Sequence, residues 1–206
     1  MLKFLIVLIV VFIILLVAEY LFRIKHLRSE ITRKFIHIGV GSFAAFWPFF
    51  LSWRQIELLA GFFFVGISVS RLLTIFGSIH IIERRTIGEL LFAVSIGLTA
   101  LITHDRLIYM AALLNLSLGD GLAAILGSRY GKKHTYKVFN HKKTMTGTVI
   151  FWLCSMIILI IYFISSHIFS WPILIGLPLV ASLIENVGVN GTDNLLVPLV
   201  IALTLR

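Results

Sequence analysis

The stretch 119–148, GDGLAAILGSRYGKKHTYKVFNHKKTMTGT, carries residue types that handle phosphate. Asp120 sits between Gly119 and Gly121, and Arg129, Lys132, Lys133, Lys137, Lys142 and Lys143 follow, with His134 and His141 among them. An acid beside small residues can hold a divalent metal, and a basic loop can hold the phosphates that such a metal bridges. On a continuous helix ending near Gly127, Asp120 lies about seven residues inside, roughly 10 Å deep. An ionised aspartate at that depth costs several kcal/mol unless a cation or a cavity receives it. Ala123, Ala124 and Gly127 follow on the same helical face, a stripe that also suits a close helix contact.

Three more clusters have similar character. Lys142-Lys143-Thr144-Met145-Thr146-Gly147 brings two lysines, two hydroxyls and a glycine to a helix start, where free backbone N–H groups favour an anion. The stretch 127–133, GSRYGKK, lacks the spacing and the hydroxyl of a Walker loop. Arg33 and His37 are four apart, so both project from one helix face at its mouth, with Lys34 beside them. Glu185-Asn186 is followed by Thr192-Asp193-Asn194. Asp193 alone would be an ordinary helix cap, whereas Glu185 has no adjacent cation in sequence. Glu89 is similar, with Arg85 four residues earlier placed to neutralise it.

The elements that must position these groups are membrane helices. The chain has 206 residues, 59% of them hydrophobic and 13% charged, with mean hydropathy +1.04. A soluble domain would carry about twice that charged fraction. Apolar runs of about 20 residues recur, so the chain is read as one all-α, multi-pass helical bundle over residues 1–206. The spans are residues 2–21, 35–51, 55–76, 87–103, 107–126, 148–169, 171–187 and 194–205, seven or eight in all because the second and last are short. Trp47 and Pro48 read as an interfacial anchor and a stop for the second. Residues 1–22 are similar to a signal peptide, but the apolar run is too long and no A-x-A site follows, so a retained helix is expected. Glu19 and Arg23 read as a simple i,i+4 pair.

Net charge is +9, which in a soluble domain would suggest nucleic acid. Here the basic residues fall into loops between spans, so topology signals and anionic headgroups account for most of them and no nucleic-acid partner is expected. Arg23, Lys25, Arg28, Arg33, Lys34, Arg84, Arg85 and the 129–143 cations share one side with every polar cluster, His26 among them. Lys3, Arg54, Arg106 and Arg206 take the other, while Arg71 falls inside the third span. The basic side is therefore expected to be cytoplasmic and the N-terminus outside. The single Cys154 lies in an apolar span, which excludes an internal disulfide.

With these clusters in their order, the chain resembles the dolichol kinase, phytol kinase and CTP-dependent diacylglycerol kinase family, the polyprenol kinases. The resemblance rests on Arg33-Lys34-x-x-His37, on Gly119-Asp120-Gly121-x-Ala123 with Gly127 and Gly131-Lys132, and on Lys143-Thr144-x-x-Gly147. It closes with Glu185, Asp193-Asn194 and Pro198. It implies a metal-dependent transfer of phosphate, typically from CTP with ATP as the other donor, to a lipid alcohol. Asp120, Glu185 and Asp193 are the expected Mg²⁺ ligands, and Asp120, Lys143 and Glu185 the expected catalytic groups. Nucleotide contacts are expected at Arg33, Lys34, His37, Asn115, Gly119, Arg129 and Gly131, and further on at Lys132, Lys142, Lys143, Thr144, Gly147 and Asn194. Glu89 is a further site candidate. The alcohol would enter sideways from the inner leaflet.

Expected partners are that lipid alcohol, the nucleotide, membrane lipids and, in assembly, a second copy of the chain. The protein is placed in the cell membrane of a prokaryote, or the endoplasmic reticulum or plastid membrane of a eukaryote. The related phosphatidate cytidylyltransferases share a similar central block, which makes synthesis of a CDP-lipid the alternative. This chain departs from their pattern after Glu185 and is short for that group. A small transporter or assembly subunit would place polar residues mid-bilayer between repeated halves; the chain gathers them on one side and has no repeat.

Overall fold

The computed structural model describes residues 2–23, 29–73, 87–139 and 141–206. Lys25, His26, Arg28, Arg84 and Arg85 lie outside the described residues. Helices α1 (Leu2–Arg23), α2 (Ser29–Ala45), α3 (Trp53–Leu73) and α4 (Gly88–Ile102) form the first half. Next, α5 (Arg106–Leu114) runs through a π-helical turn (Asn115–Gly119) into α6 (Asp120–Tyr130). A hairpin of β1 (Thr135–Val138) and β2 (His141–Thr144) leads to α7 (Met145–Ser166), α8 (Trp171–Val187) and α9 (Asp193–Leu205). Among the described residues, the fold is an all-α membrane bundle with this small hairpin.

Among the described residues, four helices are long and apolar enough to cross a bilayer: Leu2–Leu21, Trp53–Leu73, Arg106–Tyr130 and Met145–Ser166. The apolar helices α4, α8 and α9 are shorter. Ile9, Phe12, Phe62, Val65, Ile157 and Ile164 are exposed around the outside, a surface that suits lipid rather than water. The rod Arg106–Tyr130 is the axis of the bundle, with 61% of its span window buried against 17% for α1 and α3. On one side of it Trp47, Ile56, Leu59 and Tyr109 form a core; on the other, Phe151, Leu159, Leu177 and Ile201 form a second.

Trp47 is a correction to the expected interfacial anchor. It is wholly buried, stacked on Phe63 and edge-on to Phe43, because the short 3₁₀ turn Trp47–Phe49 folds it back into the core. The expected pair does form, with Arg23 Nε 2.5 Å from Glu19 Oε1. The basic stretch read as a loop is a hairpin in which Thr135 pairs with Thr144 and Lys137 with Lys142.

Lipid is as apolar as leucine, so helices in a bilayer associate through close packing rather than burial from water. Small residues make that packing here. A Cβ on Gly121 would come within 2.3 Å of Ile38, and one on Gly127 within 2.6 Å of Thr144 Oγ1 and 3.0 Å of the Gly147 Cα. The second collision involves backbone and cannot be relieved by a rotamer. Gly127→Ala is therefore expected to destabilise by about 1–3 kcal/mol through overpacking. Gly176→Ala, whose new Cβ meets nothing within 4 Å, should be neutral or stabilising. Thermal unfolding of the two variants in detergent checks the contrast.

The rod also separates Arg106 from Lys137 by its whole 25-residue length. In a Cys154→Ser background, cysteines placed at these two positions are expected to react with an impermeant thiol reagent from opposite sides of sealed vesicles. Labelling of both from one side would remove the bundle's membrane orientation.

Candidate active site

Local backbone chemistry brings five chain segments to one end of the bundle. The π turn places one extra residue before α6, which rotates everything after it by about 100° relative to a continuous helix. Asp120 begins α6 on the side facing α2. Asn115 closes the turn internally, its Nδ2 donating to the Ala111 carbonyl at 2.9 Å. Gly41 of α2 abuts this turn, where a Cβ would stand 2.5 Å from Ser117. That approach lets His37 Nε2 donate to the Leu116 carbonyl at 3.0 Å.

Lys34 and His37 converge on Asp120. Lys34 Nζ is 2.5 Å from Asp120 Oδ2, and His37 Nε2 is 3.2 Å from the same oxygen. All three are buried. Residues three apart on α2 thus make the face that was expected of Arg33 and His37; Arg33 instead stands beside them at the wall of the cavity.

The hairpin delivers the second cation. Lys143 Nζ donates to Glu185 Oε1 at 2.5 Å and to the Glu185 carbonyl at 2.8 Å. Burial works against the charge on Lys143. The Glu185 carboxylate, with Asp193 and Asp120 behind it, outweighs that and holds the lysine pKa above its ordinary value. Lys143 is therefore cationic at any physiological pH. Tyr136 on β1 fixes the hairpin, its hydroxyl bonding Thr148 at 2.5 Å and donating to Asn186 Oδ1.

The last segments meet through glycine. Gly191 has φ +90°, and a Cβ on it would lie 2.3 Å from the Gly88 Cα, so the loop before α9 packs on the start of α4 with no room for a side chain. Asn194 Nδ2 seals the joint by donating to the Gly88 carbonyl at 2.9 Å. Asp193, read alone as a cap, makes no such bond: α9 is preceded by Thr192 without a side-chain cap.

Oxygens of Asp120, Glu185 and Asp193 lie within 4.8 Å of one another, a group of three carboxylates from α6, α8 and α9. Such a set of hard oxygen donors, with no thiol, fits Mg²⁺ or a similar cation. They line a cavity of about 280 Å³ whose cationic walls are Arg33, Lys34, Lys142 and Lys143. Thr144, Gly147 and Asn194 also line it.

Other expected contacts fall elsewhere. Arg129 and Lys132 are exposed beyond the cavity, Arg129 lying over the Tyr130 ring. Asn115 is wholly buried in the π turn, Gly119 faces Phe151, and Gly131 backs onto Thr144. The helix start at Met145 is not the open anion nest the sequence suggested. The Met145 N–H donates to the His134 carbonyl and the Gly147 N–H to Thr144 Oγ1, each at 3.0 Å.

A second cavity, apolar and about 530 Å³, adjoins the first and shares Arg33 and Asn194 with it. Its wall draws on α1, α2, α3 and α4, with Glu89 and His37 among the lining residues. Nothing in the periodicity of those helices marks a cavity, because a residue facing a hollow and one facing a neighbour are equally apolar.

Among curated proteins, the chain is 35% identical to a phytol kinase of Synechocystis sp. over 197 residues, covering 90% of this chain and 82% of that one. The chain belongs to the phytol kinase family. A second member of that family, probable phytol kinase 2, chloroplastic, of Oryza sativa subsp. japonica, is 28% identical over 198 residues, covering 83% of this chain and 64% of that one. No family model matches the chain, and no solved structure matches it. Phytol kinase family membership agrees with the resemblance carried by the Arg33, Asp120, Lys143 and Glu185 motifs.

Proposed function

We propose that this lipid-alcohol kinase transfers the terminal phosphoryl group of CTP to the hydroxyl of an isoprenoid alcohol of the phytol type, at the cytoplasmic face of its membrane. Family membership carries the reaction class. The observation that carries the site is the meeting of three carboxylates with Lys34 and Lys143 in a cavity that borders an apolar one.

Phosphoryl transfer asks a protein for alignment and for charge to offset that spread over the transferring oxygens. Asp120, Glu185 and Asp193 would hold a Mg²⁺, which when bound supplies charge neutralisation on the nucleotide phosphates. Lys143 and Lys142 would face the phosphoryl oxygens, with Arg33 on the acceptor side. Lys34 and His37 hold Asp120 in place through its Oδ2. Preorganised charges of this kind need little rearrangement as the reaction proceeds. The cytoplasmic assignment rests on the excess of Lys and Arg at the cavity end of the bundle.

The test is purified protein with Mg²⁺, each labelled nucleoside triphosphate in turn, and a panel of lipid alcohols. CDP and a lipid monophosphate are expected, with phytol among the best acceptors. Pyrophosphate and a CDP-lipid made from a lipid phosphate would overturn the kinase reading in favour of nucleotidyl transfer.

A further inference from the structure

We infer that the apolar chamber bounded by α1–α4 is the acceptor site, taking the alcohol's hydrocarbon chain, and that Glu89 is the catalytic base that receives its hydroxyl. The inference rests on the kinase reading above and adds to it a chain site, a base and a specificity wall.

The chamber measures about 530 Å³, within the range of pockets that enclose whole small ligands. Ile9, Phe12 and Phe62 line it and are also exposed, which marks the side between α1 and α3 on which it opens to lipid. Its other end is different in kind. There Arg33, His37, Glu89 and Asn194 gather, Ser70 being the other polar residue of a mostly apolar lining, and Arg33 and Asn194 also line the phosphate cavity. An amphiphile with one polar end fits this shape, its head lying beside Lys34 and Asp120.

Two acceptors wait at the polar end. Asn194 is buried and its Oδ1 has no hydrogen-bond partner among the described residues, although its Nδ2 is bonded to Gly88. A buried acceptor left in that state costs about 1–3 kcal/mol, which a hydroxyl arriving from the chamber would offset. Glu89, in the first turn of α4, makes no hydrogen bond or ion pair among the described residues. In the other cavity Asp120 and Glu185 are paired with Lys34 and Lys143, and Asp193 groups with them as a third candidate metal ligand. Glu89 is the acid that faces the chain rather than the phosphates.

The step balances as follows in atoms and charge. The hydroxyl proton passes to the Glu89 carboxylate while the alcohol oxygen forms a bond to the terminal phosphorus. The bond from that phosphorus to its bridging oxygen breaks, and the electron pair leaves with the nucleoside diphosphate. The proton on Glu89 is then released to solvent.

The experiment has a binding arm and a turnover arm, both on full-length protein in lipid nanodiscs. A diazirine-bearing isoprenoid alcohol is photocrosslinked and the modified peptides are mapped. Labelling is expected on α1–α4 lining segments and should be competed by phytol. Gly66→Phe and Ala93→Leu narrow the chamber from two sides. Gly66 has nothing within 4 Å of a new Cβ, so its variant is not expected to disturb the fold.

Both variants should lose labelling and lower phytol turnover at least tenfold relative to a shorter isoprenoid alcohol. Glu89→Gln should lower phytol turnover at least a hundredfold while CTP affinity by titration stays within threefold, and Glu89→Asp should recover part of the loss. Labelling outside α1–α4, no change of acceptor preference in a folded Gly66→Phe, or competition by a bulk phospholipid equal to that by phytol would overturn the chamber assignment. Turnover by Glu89→Gln within twofold of wild type would overturn the base. Chamber labelling competed by phytol, in a wild-type protein that phosphorylates no alcohol, supports the chamber and overturns the kinase reading alone.

Discussion

Asp120→Asn is expected to lower lipid phosphorylation by at least roughly a thousandfold, the scale on which preorganised charge acts in a dry site. Asparagine keeps the shape of aspartate but removes the charge that the carboxylate group shares with Glu185 and Asp193. The substitution is not neutral for the fold. Lys34 and Asp120 have side chains only 7% and 9% exposed, so removing one charge leaves the other buried and uncompensated. Breaking such a pair costs about 3–5 kcal/mol, whereas removing both partners costs far less. The variant Asp120→Asn should therefore melt well below wild type. Adding Lys34→Gln should restore much of the stability and none of the activity. The two readouts are an unfolding curve in detergent and an initial rate with saturating CTP. Turnover within tenfold of wild type in the folded double variant would remove Asp120 from the reaction.

Lys143→Ala should lose at least roughly a hundredfold in turnover, and Lys137→Ala little. Both lysines sit on one hairpin, so a role in headgroup binding or topology would treat them alike. The structure separates them. Lys137 is exposed on β1, opposite Lys142, while Lys143 reaches into the cavity and holds Glu185 at 2.5 Å. Alanine at 143 removes a cation from the phosphate side and leaves Glu185 buried without its partner. The loss should persist in high salt, since a contact inside the protein is screened far less than a surface one. Because Lys143 keeps its charge well above neutrality, the effect of the substitution should also be flat between about pH 6 and 8. Equal, modest losses from both variants that vanish in salt would mean that the hairpin only touches lipid headgroups.

Composition and hydropathy sufficed for the membrane bundle, because apolar runs of bilayer length have no other stable use. Residue types and order sufficed for the family, and they singled out most of the acids and cations that the structure gathers around one cavity. Asp120, Glu185 and Asp193 were each conspicuous as acids in or beside apolar segments, where a charge needs a reason. Their meeting was not legible. It depends on the π turn that re-aims Asp120, on the Gly191–Gly88 contact that draws α9 beside α4, and on the hairpin that carries Lys143 inward. That Lys34 meets Asp120 has the same origin, since nothing in the sequence says which cation of α2 turns toward α6 until the rotation of α2 is known.

Trp47 was misjudged because an aromatic beside a proline looks alike at an interface and in a core. The apolar chamber was not visible at all: a hollow is a relation among four helices, and no single helix records it. Sequence alone determined which chemistry this chain can carry and in what solvent it folds, for those follow from side-chain type and local periodicity. Only tertiary structure decided which charges are neighbours, which cations are spent on the surface, and where an apolar chamber opens among the helices, because each of these is set by contacts between residues far apart in the chain.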